Sequence, residues 1–390
     1  MRFLFTTIPG SGHFNPMVPT ARAFEARGHV VTFAASEAFT PMIEAAGFRN
    51  LPTGPVWLEN MGDPVMQEIG RKELFIELTR MGMVEGVVRA AGVMQADAIV
   101  GGGAELGSRF GAAVLDIPHI AHAAGGAKIW WPMIRERVAR AASEHGLDGQ
   151  RLASDDFPAV DIDRTPPSLD TPGYVPAPNL INIRPDFVDF GGDVPAGLDE
   201  LGTSRPLVYV TLGSVFNGNV PLFKLIAQAL GDEDVDVLMA LGRGIPATAL
   251  GDLPANVKVA GYVSQNVVLQ RATAIVCHGG YSTVVAALSA GVPLYVIPMA
   301  ADQPYNGERI AMAGAGLAES PPPGGPNAGP PAFRPPAVEA VRNAVRRLLT
   351  DRSFAEGARR IAAEIAALPP AVVAVERVEA AVKNRARVSA

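Results

Sequence analysis

The stretch Val276-Cys277-His278-Gly279-Gly280-Tyr281-Ser282-Thr283, running on to Asp302-Gln303, decides the reading of this chain. The apolar run from Thr273 to Cys277 reads as a buried strand. A His-Gly-Gly turn leads into a helix beginning at Ser282 or Thr283. Ala286, Ala287, Leu288 and Ala290 form its apolar stripe, and Gly291 with Pro293 stops it. A second apolar run, Val292 to Met299, ends at Asp302-Gln303. Glycines here let backbone N–H groups close on an anion at the positive end of a helix. His278, Ser282 and Thr283 add side-chain donors. The Asp-Gln pair is expected at the carboxyl end of the next strand, where open α/β sheets bind ligands.

The rest of the chain repeats this grammar. Arg2 to Ile8 reads as a strand, Pro9 to Pro16 as a turn, Pro16 to Arg27 as a helix stopped at Gly28, and His29 to Ala35 as the next strand. The turn carries Gly10-x-Gly12 but no third glycine, which disfavours a dinucleotide. Pro41 to Gly47 reads as a helix, Phe48 to Leu51 as a weak strand, Ala96 to Val100 as a strand closed by three glycines, Ala104 to Leu115 as a helix and Ile117 to His122 as a strand. Residues 158 to 204 are proline-rich and read as the approach to a linker. A second series follows: strands at Leu207 to Leu212, Val235 to Leu241 and Val257 to Tyr262, with a helix at Leu222 to Leu230. Pro321 to Pro336 reads as a loop, and three helices close the chain, the last over residues 371 to 387. Two such series imply an α/β protein of two Rossmann-like lobes facing across a cleft. The divisions fall at 1–195 plus 371–390 and at 205–370.

Composition sets outer bounds. The chain has 390 residues, 48% hydrophobic and 18% charged, which suits two globular domains with substantial cores. A net charge of −6 gives no general attraction to nucleic acid. A single cysteine, Cys277, excludes an intrachain disulfide and fits a reducing, cytoplasmic setting. The N-terminus reads as a strand start rather than a secretory signal, and no 18-residue apolar run predicts a membrane span.

The ordered set His278-Gly279-Gly280-x-Ser282-Thr283, Ala290-Gly291-Val292-Pro293, Pro298 and Asp302-Gln303-x-x-Asn306 resembles the donor signature of the GT-B, family 1 glycosyltransferases, above all the bacterial branch acting on polyketides, macrolides and other natural products. The resemblance implies an inverting, metal-independent transfer from a dTDP- or UDP-sugar, with no other cofactor. In it, His13 is the general base. Gly12, Ser214, Tyr262, Val263, Gln265, His278, Gly280, Ser282, Thr283, Asp302 and Gln303 hold the donor, and Asn306 braces the loop. The acceptor, apolar and partly aromatic, meets Trp57, Met61, Phe75, Met81, His122, Trp130 and Trp131; on composition alone those residues suit an ordinary core. The last helix is expected to cross back to the N-terminal lobe. A homodimer stays open.

His13 precedes a helix N-terminus, which disfavours the imidazolium and keeps the ring neutral. The family orients this histidine with an Asp, but Gly102 stands at that position here. Three readings follow: Glu105 takes the role, or the acceptor is an acidic phenol needing little help, or His13 contributes less than usual. Asp161-Ile162-Asp163 and Asp234-Val235-Asp236 have the spacing of a metal-binding triplet but read as surface charge off the strand ends, so no metal is expected. Two rival functions share these features: a sugar-nucleotide 2-epimerase on the same fold, and a non-catalytic auxiliary protein that binds nucleotide sugar.

Overall fold

The computed structural model describes residues 1–54, 83–103, 105–123, 127–188, 194–195, 197–213, 218–242, 244–320 and 333–388. The chain divides into two compact units. One comprises Met1–Thr165, Thr171–Val188 and Leu368–Ala390, the other Pro166–Asp170 and Asp189–Ala367.

In the first unit β1 (Arg2–Thr6), β2 (Val30–Ala34), β3 (Arg49–Asn50), β4 (Ala98–Gly102), β5 (His119–His122), β6 (Val160–Asp163) and β7 (Leu180–Asn182) form one sheet in the order β3-β2-β1-β4-β5-β6-β7. Every pairing is parallel, with Phe5 opposite Phe33 on one side and Val100 on the other. The helices are α1 (Ser11–Phe14), α2 (Val18–Ala26), α3 (Thr40–Ala45), α4 (Val84–Met94), α5 (Gly107–Leu115), α6 (Ala127–Glu144) and α7 (Gly149–Leu152). Strands covered on both faces read as unbroken apolar runs, which is why Phe3-Leu4-Phe5 is wholly buried. An aromatic cluster fixes the start of this unit. Phe14 packs edge-on to Phe33 at 5.1 Å and to Phe39 at 5.6 Å, and Phe24 packs on Phe3 at 4.5 Å. Each such pair adds roughly 0.5–1.5 kcal/mol beyond area burial.

The first helix starts earlier than expected. Gly10 is extended, and its carbonyl accepts the N–H groups of His13 and Phe14 at 3.0 Å each, so helical geometry begins at Ser11. The proline-rich stretch from 158 is not only a connector, because it supplies β6 and β7. Strands of four and three residues carry too little periodicity to stand out among prolines. The reading of the Asp triplets as surface charge holds for the exposed Asp234 and falls for Asp163 and Asp236. Asp161 to Asp163 lie in β6, and Asp163 ends that strand. Asp163 is buried, and its Oδ1 accepts from the backbone of Arg164 and Thr165 and from the Thr165 hydroxyl. Asp236 is buried against Arg205 and the Gly202 N–H.

In the second unit β8 (Leu207–Thr211), β9 (Asp236–Ala240), β10 (Val257–Ala260), β11 (Ala274–Cys277), β12 (Leu294–Val296) and β13 (Gly316–Ala318) form a parallel sheet in the order β10-β9-β8-β11-β12-β13. Its helices are α8 (Val220–Leu230), α9 (Gln265–Leu269), α10 (Tyr281–Ser289), α11 (Gln303–Met312), α12 (Val338–Thr350) and α13 (Arg352–Ala367). Asn219 caps α8 by accepting from the Leu222 N–H at 3.1 Å. The stripe Val341, Ala344, Val345 and Leu348 turns α12 onto a core built from Val208, Val210, Phe223, Ile226 and Val276.

The chain ends in α14 (Ala371–Val388), which packs on α2 and β6 within the first unit. Arg27 pairs with Glu379 at 2.6 Å and Glu376 at 3.2 Å, and His29 Nε2 lies 2.9 Å from Glu379. The Arg27 hydrogen bond is the main cause that holds the Glu379 carboxyl down at about 2. No described helix is long and apolar enough to cross a membrane.

Candidate active site

In the second unit the strand order reverses between β8 and β11, the switch point where doubly wound sheets bind ligands. Two glycine turns meet there. Gly213 follows β8 at φ +81°, and Gly279 follows β11 at φ +85°. Between them lies the buried His278 ring. A Cβ on Gly213 would come within 2.6 Å of His278 Nε2, and a Cβ on Gly280 within 2.3 Å. These two glycines are therefore a steric condition for the histidine's position. The His278 ring is buried, and burial lowers its pKa to about 4, opposed by a hydrogen bond with the Thr211 backbone. The helix α10 starts from Gly280, which is extended and carries no side-chain cap hydrogen bond. Thr283 is buried and Ser282 partly so in that first turn.

Beyond β12 the chain turns through Ala301, whose φ of +54° is unusual for a residue with a side chain. Asp302 precedes α11, and burial raises its pKa, opposed by the amide of Asn306. Gln303 is buried, and its Oε1 accepts the Met299 N–H at 2.7 Å and the Ala300 N–H at 2.9 Å. Its carbonyl oxygen is thus committed to the loop. Val263 is buried, Tyr262 and Gln265 are partly buried, and Gln265 Nε2 has no partner. Ser214 lies outside the described residues.

In the first unit His13 is the third residue of α1, half-buried, with Nδ1 enclosed and unpartnered. Burial lowers its pKa to about 4, so the ring is neutral near pH 7. Desolvation acts on the ring in the same direction as the helix end invoked from the sequence. Gly12 is exposed, and a Cβ there would meet nothing within 4 Å.

Glu105 does not support His13. Its Oε2 accepts from the Thr6 hydroxyl at 2.6 Å, and its two oxygens receive the Ser108 N–H at 3.1 and 3.0 Å. It caps α5, and its carboxyl is raised by burial. Position 102, where the resembled family has its acid, is tight. A Cβ there would stand 3.3 Å from both Met17 Sδ and the Thr6 carbonyl.

The acceptor residues fare unevenly. His122 is wholly buried in β5 with Nε2 3.0 Å from the Thr20 hydroxyl, the placement of a core residue with no surface for an acceptor. Burial lowers its pKa to about 3. Trp131 packs under the Arg109 guanidinium at 4.2 Å and beside Leu106, Phe110 and Leu152. Trp57, Met61, Phe75 and Met81 lie outside the described residues, and of Trp130 the backbone alone is described. Among the described residues no group of three or more His, Cys, Asp or Glu is placed to hold a metal ion.

Sequence comparison agrees with this architecture. Residues 224–380 match the family described as erythromycin biosynthesis protein CIII-like, C-terminal domain. The chain is 31% identical over 340 residues to L-demethylnoviosyl transferase of Streptomyces niveus, covering 81% of this chain and 84% of that one. It is 26% identical over 438 residues to 4'-demethylrebeccamycin synthase of Lentzea aerocolonigenes, covering 97% and 99%. The crystal structure of glycosyltransferase SnogD from Streptomyces nogalater superposes with a TM-score of 0.77 at 27% identity, covering 98% and 99%. Two parallel Rossmann-like units of this kind, superposing on a glycosyltransferase at 27% identity, are the GT-B fold. The chain belongs to the family 1 glycosyltransferases of antibiotic and natural-product biosynthesis.

Proposed function

We propose that the protein is an inverting, metal-independent glycosyltransferase that moves a sugar from a dTDP- or UDP-sugar to a phenolic, otherwise apolar natural product. On this reading the first unit takes the acceptor and the second the nucleotide sugar. The acceptor oxygen attacks the anomeric carbon, its proton passes to His13, and the bond to the diphosphate breaks. The leaving charge settles on the N-terminus of α10 with His278, Ser282 and Thr283. Asp302 and Gln303 take sugar hydroxyls, while Tyr262, Val263 and Gln265 hold the nucleoside. One displacement inverts the anomeric centre.

The observation carrying the acceptor class is the lone imidazole. Among the described residues His13 has no carboxylate partner at Nδ1, and burial lowers its pKa to about 4. A base that weak takes a proton best from an acceptor that is itself acidic, which favours a phenol over an alkyl alcohol. The test is product formation from dTDP- and UDP-glucose with substituted phenols and matched alcohols. Rates that rise as acceptor pKa falls support the reading, and equal rates on alcohols overturn it.

A further inference from the structure

We propose that Asn306 is a positioning residue that locks the phosphate turn and the Asp302 carboxylate into one donor frame; this rests on reading Asp302 as an acceptor of sugar hydroxyls. Asn306 is 5% exposed, in the first turn of α11. Its Nδ2 donates to the Gly279 carbonyl at 2.9 Å and to Asp302 Oδ2 at 2.8 Å. A primary amide nitrogen carries two hydrogens, so both are spent. The reverse orientation would set one acceptor against two others, so the amide has one way to sit. Gly279 approaches the start of α11 closely: a Cβ there would fall 2.5 Å from Val296 Cγ1 and 3.2 Å from the Gln303 carbonyl. Turn and loop are thus joined by contact and by a doubly donating amide. Asp302 Oδ2 is held by this bond, which fixes the orientation of the carboxylate.

The elements packed against α11 are β12, β13, α10 and the 3₁₀ turn Pro167–Leu169. Their ionisable groups and immediate neighbours are Tyr295, Glu319, His278, Tyr281 and Asp170; α11 itself adds Tyr305, Glu308 and Arg309. None of these shifts Asp302. Burial raises its pKa, and the Asn306 amide and its own backbone N–H oppose that rise.

Asn306→Asp is isosteric and sets an acceptor where the double donor stood. Two touching carboxylates share one proton as pH falls. The protonated introduced carboxyl can then donate to Asp302 again. The probe is dTDP-glucose, or UDP-glucose if uridine diphosphate binds the tighter, measured by titration calorimetry. Its diphosphate charge does not change across the range used. Asn306→Asp is expected to bind about 10- to 100-fold more weakly than wild type at about pH 8 and to recover most of that by about pH 5.5. Equal weakness at both pH values, with a lowered melting temperature, means a merely structural role and overturns the proposal. If that variant does not fold, Asn306→Ala decides with the four monodeoxy analogues of the sugar. The proposal requires the penalty for the missing hydroxyl to shrink in Asn306→Ala; an unchanged penalty overturns it. Wild type binding all four analogues as tightly as the parent would instead sink the reading of Asp302 itself.

Discussion

Replacing Glu105 separates a structural carboxylate from a catalytic one. The side chain accepts from the Thr6 hydroxyl at 2.6 Å and from the Ser108 N–H at 3.0 Å. Glu105→Ala leaves the fully buried Thr6 hydroxyl without its acceptor, about 1–3 kcal/mol, and strips α5 of its cap, about 1 kcal/mol. A net loss of about 2–4 kcal/mol corresponds to roughly 4–15 °C in melting temperature for a unit of this size. Glu105→Gln keeps an oxygen for Ser108 and an amide N–H for Thr6 Oγ1. Burial raises the folded pKa of Glu105 above its unfolded value. The stability that the protonated carboxyl contributes is present below the unfolded pKa and fades as pH rises through the folded one. Glu105→Gln should therefore equal or exceed wild type at about pH 8 and lose that advantage near pH 4. The assay is urea denaturation at both pH values, beside steady-state transfer. Both variants should keep kcat within about tenfold, because Glu105 makes no bond to His13. A Glu105→Gln protein that is as stable as wild type but about 100-fold slower would refute this assignment.

Other consequences are as direct. With the His13 pKa lowered to about 4, acceptor kcat/KM should stay level from neutral pH down to about 5 and fall below that. The same shift means that stability is lost as pH falls from about 6.5 to about 4, since the unfolded chain binds the proton first. His278 and His122 titrate low as well, so the readout is the difference between wild type and His13→Gln. Gly213→Ala forces a left-handed backbone on alanine, about 1–2 kcal/mol, and drives its Cβ to 2.6 Å from His278 Nε2. Nucleoside diphosphate affinity should fall at least tenfold by calorimetry, and unchanged affinity would remove His278 from the donor site. Ala301→Gly relieves a φ of +54° and should raise the unfolding free energy by up to about 1 kcal/mol in urea titrations.

The sheets were legible because parallel strands buried on both faces leave unbroken apolar runs, and glycine turns punctuate them. Leu207 to Leu212 and Thr273 to Cys277 announced themselves this way. β6, β7 and β13 did not, because three or four residues among prolines and glycines carry no period to count. The pairing of Asp302 with Asn306 was readable, because a separation of four brings two residues together at a helix start. The Asn306–Asp302 hydrogen bond follows from that spacing, but the bond to the distant Gly279 carbonyl does not, and Ala301's backbone has no signature in residue type. Glu105 was misassigned for a physical reason. It lies one helical turn beyond Gly102, where the resembled family has its acid, yet a helix N-terminus and a buried threonine take its oxygens instead. His122 looked like a pocket residue because it ends a strand, while the Thr20 hydroxyl on α2 takes its ring into the core.

The central claim is that His13 accepts the acceptor's proton, and His13→Ala addresses it directly. Acceptor-dependent release of nucleoside diphosphate should fall by roughly 10²–10⁴ in kcat, with donor affinity unchanged by calorimetry. A variant that turns over within a few-fold of wild type, with the same donor affinity, would contradict it.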